Sequence, residues 1–107
     1  MPTNILVQVP DSLRDWHPLL LDFFRGMIKK LDKNSHKKTP TVSSLPEIMD
    51  LLELEIDEFE EQINTNKFDE NSLIELMDQA NFSFLAYVAL RSQGVEHGNK
   101  ESDSKSG

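Results

Sequence analysis

The 107-residue sequence contains no cysteine, which excludes disulfides and thiolate metal centres together. Basic residues are the next scarcity. Eleven Lys and Arg stand against nineteen Asp and Glu, giving a net charge of −8 and a pI near 4.7. A chain this acidic lacks the basic face that general nucleic-acid binding requires. No apolar run approaches the roughly 20 residues that span a bilayer. The opening MPTNILVQVPDSLRDWHP has no basic segment followed by an apolar run of signal length. No internal repeat is present. The expectation from these absences is a soluble cytoplasmic protein of one domain, with neither nucleic acid nor membrane as partner.

What is present is unevenly distributed. Six of the eleven basic residues fall between Arg25 and Lys38, and twelve of the nineteen acids between Glu47 and Asp78. A basic segment beside an acidic one suits an anionic ligand that arrives with a metal.

The periodicity is helical throughout the middle of the chain, predicting an all-α fold. Residues 1–16 read as an extended N-terminal arm, 17–94 as the helical domain and 95–107 as a disordered tail rich in Ser, Lys, Glu and Gly. Pro18 sits badly in a helix interior, so the first continuous helix should begin near His17 or Pro18, with a turn before it. Its apolar stripe is Leu20, Phe23, Phe24, Met27, Ile28 and Leu31, and Gly26 suggests a close helix contact. Residues 33–44 read as a loop. Ser44-Leu-Pro-Glu47 fits a capping box with proline in the first turn, predicting a second helix from Leu45 to about Ile63. Its expected stripe is Leu45, Ile48, Met49, Leu52, Ile56, Phe59 and Ile63, with Glu55 at the border.

A third helix should run from Glu70 or Ser72 to Ser92, with Gly94 as its stop. It is apolar on more than one side, which three helices cannot cover. A central antiparallel hairpin of the second and third helices, in a small bundle completed by dimerisation, is therefore the expected architecture.

Each helix of that hairpin carries two carboxylates three residues apart: Glu55 and Glu58, then Glu75 and Asp78. Residues at i and i+3 are neighbours on a helix surface. Two antiparallel helices so equipped form the carboxylate cage of metal-binding bundles. Four acids gather stably only around a cation, and uncompensated charge beside Leu52, Phe59, Met77 and Phe82 is expensive. Oxygen ligands without Cys or His favour Mg2+ or Mn2+, and Mg2+ commonly bridges to phosphates. The competing reading is solvated surface acid, with Glu75 closing a capping box from Ser72.

These residues resemble the MazG-like, all-α nucleoside triphosphate pyrophosphohydrolases. That family pairs an E-x-x-E on one helix with an E-x-x-D on the next, as in Glu55-Ile-Asp-Glu58 and Glu75-Leu-Met-Asp78. The likeness extends upstream through Met27, Lys30, Leu31, Asn34, His36 and Lys37, and downstream through Asp78-Gln-Ala-Asn81-Phe82. It spans roughly residues 23–91. Leu54 stands where many members carry an additional acid, and the tryptophan that many have after the lysine-rich loop is missing. The resemblance implies Mg2+-dependent hydrolysis of a (deoxy)nucleoside triphosphate to the monophosphate and pyrophosphate, with Mn2+ able to substitute. It implies Glu55, Glu58, Glu75 and Asp78 as metal ligands, with Glu55 or Glu58 alternatively the base that activates water. Lys30, Asn34, Lys37 and Asn81 become substrate contacts, and a homodimer or homotetramer the working form. The alternatives are a solvated basic loop for Lys30 and Lys37, and a buried amide bonding between helices for Asn81. For the whole chain they are a non-catalytic helical interaction protein or a degenerate nucleotide binder.

Overall fold

The computed structural model describes residues 3–33 and 39–96. Asn34, His36 and Lys37, and the tail from residue 97 onward, lie outside the described residues. Three helices carry the fold: α1 (His17–Lys33), α2 (Leu45–Thr65) and α3 (Glu70–Ser92). No strand occurs among the described residues. From residue 3 to Pro10 the N-terminal arm has no regular secondary structure. Asp11–Trp16 winds into a 3-10 turn whose first bond runs from Leu13 N to Pro10 O, 2.9 Å. Ile5 and Val7 on the arm are exposed and pair with nothing in a ladder.

Local chemistry sets the helix ends. Pro18 and Pro46 both stand in first turns, where no backbone N–H is needed. α2 ends where Asn66 turns left-handed (φ 54°) and Lys67 N donates to Gln62 O at 3.0 Å. α3 ends the same way at Gly94 (φ 96°), with Val95 N donating to Leu90 O.

Two caps differ from the sequence reading, for one reason. Ser44 does not cap α2 against Glu47; its hydroxyl accepts from Thr41 N at 3.2 Å, closing a box that begins at Thr41. Ser72 likewise does not begin a box ending at Glu75. It ends one that begins at Asp69: Asp69 Oδ1 accepts from Asn71 N, and Ser72 Oγ accepts from Asp69 N at 3.1 Å. In each case a capping residue three positions upstream takes the serine as its N3 partner. Glu75 is thereby released from capping.

Packing is densest between α2 and α3, and α1 lies against α3. α1 reaches α3 at Gly26, where an added Cβ would overlap the Met77 sulfur and come within 3.3 Å of its Cε. That is the close approach expected at this glycine.

The apolar stripe of α2 is rotated from the expected one. Ile48 is buried, and Leu52, Glu55, Phe59 and Gln62 are half-buried, whereas Met49, Ile56 and Ile63 are exposed. Glu55 therefore lies in the packed stripe and not at its border. Little of the described apolar surface is covered. Ile48 and Ala89 alone are buried apolar residues among the described positions, and Phe23, Phe24, Ile28, Leu73, Phe84 and Tyr87 are all exposed.

Candidate metal centre

The rotation of α2 sends two polar side chains, Glu55 and Gln62, toward α3, seven residues apart on one face. Gln62 forms the best-connected contact between the two helices. Ser72 Oγ already accepts from Asp69 N, so its own proton goes to Gln62 Oε1. That fixes the orientation of the amide, and Gln62 Nε2 donates to Glu75 Oε2 at 3.0 Å. A four-residue relay thus holds one oxygen of Glu75. The other, Oε1, is buried and has no hydrogen-bond partner. A buried carboxylate oxygen without a donor is costly unless a cation faces it. Further along, Gln79 Nε2 lies 3.4 Å from Glu55 O.

Electrostatics ties the four acids together. Burial pushes the Glu55 carboxyl up, and the charges of Asp78, Glu58 and Glu75 push it further, against a lowering effect of Lys30. Burial of its oxygens likewise raises Glu75, aided by Glu58, Asp69, Asp78 and Glu61. Glu55 therefore lies in the field of the other three acids, and Glu75 in that of Glu58 and Asp78. Glu55, Glu75 and Asp78 are half-buried, and Glu58 is exposed. Among the described residues, no three His, Asp or Glu side chains already stand in an arrangement that would grip an ion. Lys30 accounts for one of them: its Nζ lies 2.6 Å from Asp78 Oδ1, an ion pair with side chains 31 % and 22 % exposed.

Beside that pair opens a cavity of about 580 Å³. Lys30 and Asp78 stand in its wall, with Leu31, Ile48, Phe82 and Leu85 as apolar surface, and Asn81 borders it. Asn81 is buried, with Nδ2 3.4 Å from Met27 O and Oδ1 without a partner. The amide does bridge helices, as the structural alternative had it, but half of its capacity is unused.

No family model matches the chain, and no match was found among curated proteins or solved structures. The likeness of the two acid pairs to the MazG-like pattern thus rests on short motifs.

Of the residues singled out in the sequence, the structure gathers Lys30, Glu55, Glu75, Asp78 and Asn81 about the contacts of α3 with α1 and α2, with Glu58 in their field. Asn34 and Lys37 lie outside the described residues. Gln62 and Ser72 were missed. Gln62 stands seven residues after Glu55, and that spacing was the available signal.

The donor set fits a hard divalent cation. All its atoms are carboxylate oxygens, one of them buried and without a donor, and no soft ligand competes. Among the described residues, no helix is long and apolar enough to cross a membrane.

Proposed function

We propose that this chain hydrolyses a nucleoside triphosphate to the monophosphate and pyrophosphate, using Mg2+ held between α2 and α3. The observation that carries the reading is Glu75. Its expected capping role has passed to Asp69 and Ser72, a relay through Gln62 aims it at α2, and its Oε1 is buried without a donor. A surface or capping glutamate has no use for such support.

Glu55, Glu58, Glu75 and Asp78 would hold the ion, with Mn2+ able to replace it. When bound, it supplies charge neutralisation at the phosphate oxygens and a water of lowered pKa. The protein's own tasks are positioning and charge control. Gln62 and Ser72 orient Glu75. Glu55 or Glu58 could instead take a proton from water as the base. The apolar wall of Phe82 and Leu85 offers the base a dry face to stack on, and Asn81 lends a polar atom to base or sugar.

The exposed apolar rows on α1 and α3, with Met49, Ile56 and Ile63 on α2, are read as the surface of a homodimer or homotetramer. The two chains would thereby complete a bundle around an antiparallel α2–α3 hairpin. A non-catalytic interaction protein would dock a basic partner on its acidic face, but it gives no reason for the Glu75 relay.

The test is a pyrophosphate-release screen over ribo- and deoxynucleoside triphosphates with Mg2+. Monophosphate and pyrophosphate should form in equal amounts and stop on chelation, in a species that sediments above monomer mass. Release of orthophosphate alone, or no turnover with any nucleotide, would refute the reaction.

A further inference from the structure

Among the described residues, the Lys30 ammonium forms the ion pair with a member of the acid set, 2.6 Å from Asp78 Oδ1. Its field also reaches Glu55, where it opposes three carboxylates. It comes from α1, the helix that contributes no carboxylate to the set, and reaches α3 one turn beyond the Gly26–Met77 approach. A flexible four-carbon stem carrying a point charge is able to leave such a position without disturbing the fold.

We infer that Lys30 is an exchangeable counter-ion: it occupies the place of the divalent cation at Asp78 in the metal-free chain and is displaced when the cation enters. The inference rests on the metal reading above and adds its order of events. An ammonium and a divalent ion repel each other and compete for the same carboxylate oxygen, so each weakens the binding of the other. Lys30 then has two positions with two uses. On Asp78 it balances part of the charge that four acids leave uncompensated. Off Asp78 it stands in the wall of the adjoining cavity, where its charge suits an anionic phosphate. Nucleotide and metal consequently assist each other, because the phosphate takes up the lysine that the metal expels.

The experiment measures Mn2+ binding to the full chain, without nucleotide, by calorimetry. The variants are Lys30→Met, which keeps the apolar stem, Lys30→Gln as a second neutral replacement, and Lys30→Arg, which keeps the charge. Circular dichroism checks that each is folded. The two neutral variants should bind Mn2+ at least about tenfold more tightly than wild type, within the usual range of site-to-site coupling, and Lys30→Arg should not. Adding inorganic pyrophosphate should tighten Mn2+ binding to wild type more than to Lys30→Met. Unchanged or weaker Mn2+ binding in both neutral variants would overturn the exchange while leaving the metal reading intact. Failure of every form, wild type included, to bind Mn2+ would remove both.

Discussion

Asp78→Asn should lower pyrophosphate release by at least about 100-fold with little loss of stability. Residues that merely support a metal ligand commonly cost 10–100-fold when removed, so a direct ligand sets that range as its floor. The amide keeps the shape of the side chain but loses the charge that would hold the proposed cation. The stability side is modest because the Lys30 ammonium sits on a flexible stem and turns toward water when its partner loses its charge. Activity and folding therefore separate cleanly. Glu58→Gln should behave alike in the same assay, and more simply, because Glu58 is exposed and removing its charge disturbs no packing. Glu53→Gln and Glu60→Gln, also exposed but outside the set, should leave turnover within about twofold, since a charge facing bulk water acts only weakly on its neighbours. Turnover that survives both Glu58→Gln and Asp78→Asn would place the chemistry elsewhere.

The second large effect concerns the metal-free protein and its dependence on pH. Burial and neighbouring acids raise the Glu75 and Glu55 carboxyls above their ordinary values. A carboxyl with a raised pKa in the folded state binds more protons there than in the unfolded chain. Stability then falls as pH rises through the window between the two values, and stays low above it. The metal-free protein should accordingly melt at a higher temperature near pH 5 than at pH 7.5, against the common trend for salt-bridged acids.

Glu75→Gln removes the repelled charge while preserving an acceptor for Gln62 Nε2. It should raise the melting temperature at pH 7 by a few degrees and flatten the slope with pH. Excess Mg2+ should invert the order, because a ligand that binds only the folded state stabilises in proportion to RT ln(1 + [L]/Kd), and only wild type keeps the full ligand set. A wild-type melting temperature that rises from pH 5 to 7.5 in chelator would show that the acids do not repel one another.

Much of the architecture was legible in the sequence because its punctuation is physical. Pro18 and Pro46 fit only first turns, and Gly94 adopts a positive φ at the end of α3, so those helix boundaries followed from chain chemistry. The caps were harder. Ser44 and Ser72 each have an acid three residues later and a capping residue three residues earlier, and sequence spacing cannot rank the two boxes. The structure chose Thr41 and Asp69.

The α2 stripe was misread for a related reason. Hydrophobicity favoured Met49, Ile56 and Ile63, but a helix in a chain with much uncovered apolar surface has more than one face to bury. The face toward α3 instead took Glu55 and Gln62. The acid pairs themselves were visible as spacing. Their support by Gln62 and Ser72, and the occupation of Asp78 by Lys30 from 48 positions away, depend on tertiary contacts that no local pattern encodes.

The measurement closest to the central claim is a Mn2+ titration of the 15N-labelled chain, read as paramagnetic broadening residue by residue. The account predicts that substoichiometric Mn2+ first broadens the amides around Glu55, Glu58, Glu75 and Asp78 on both helices, that Mg2+ reverses the effect, and that Asp78→Asn abolishes it. Broadening that begins at the exposed acids Asp11, Asp15 and Asp22, or that spreads evenly over the acidic surface, would contradict it.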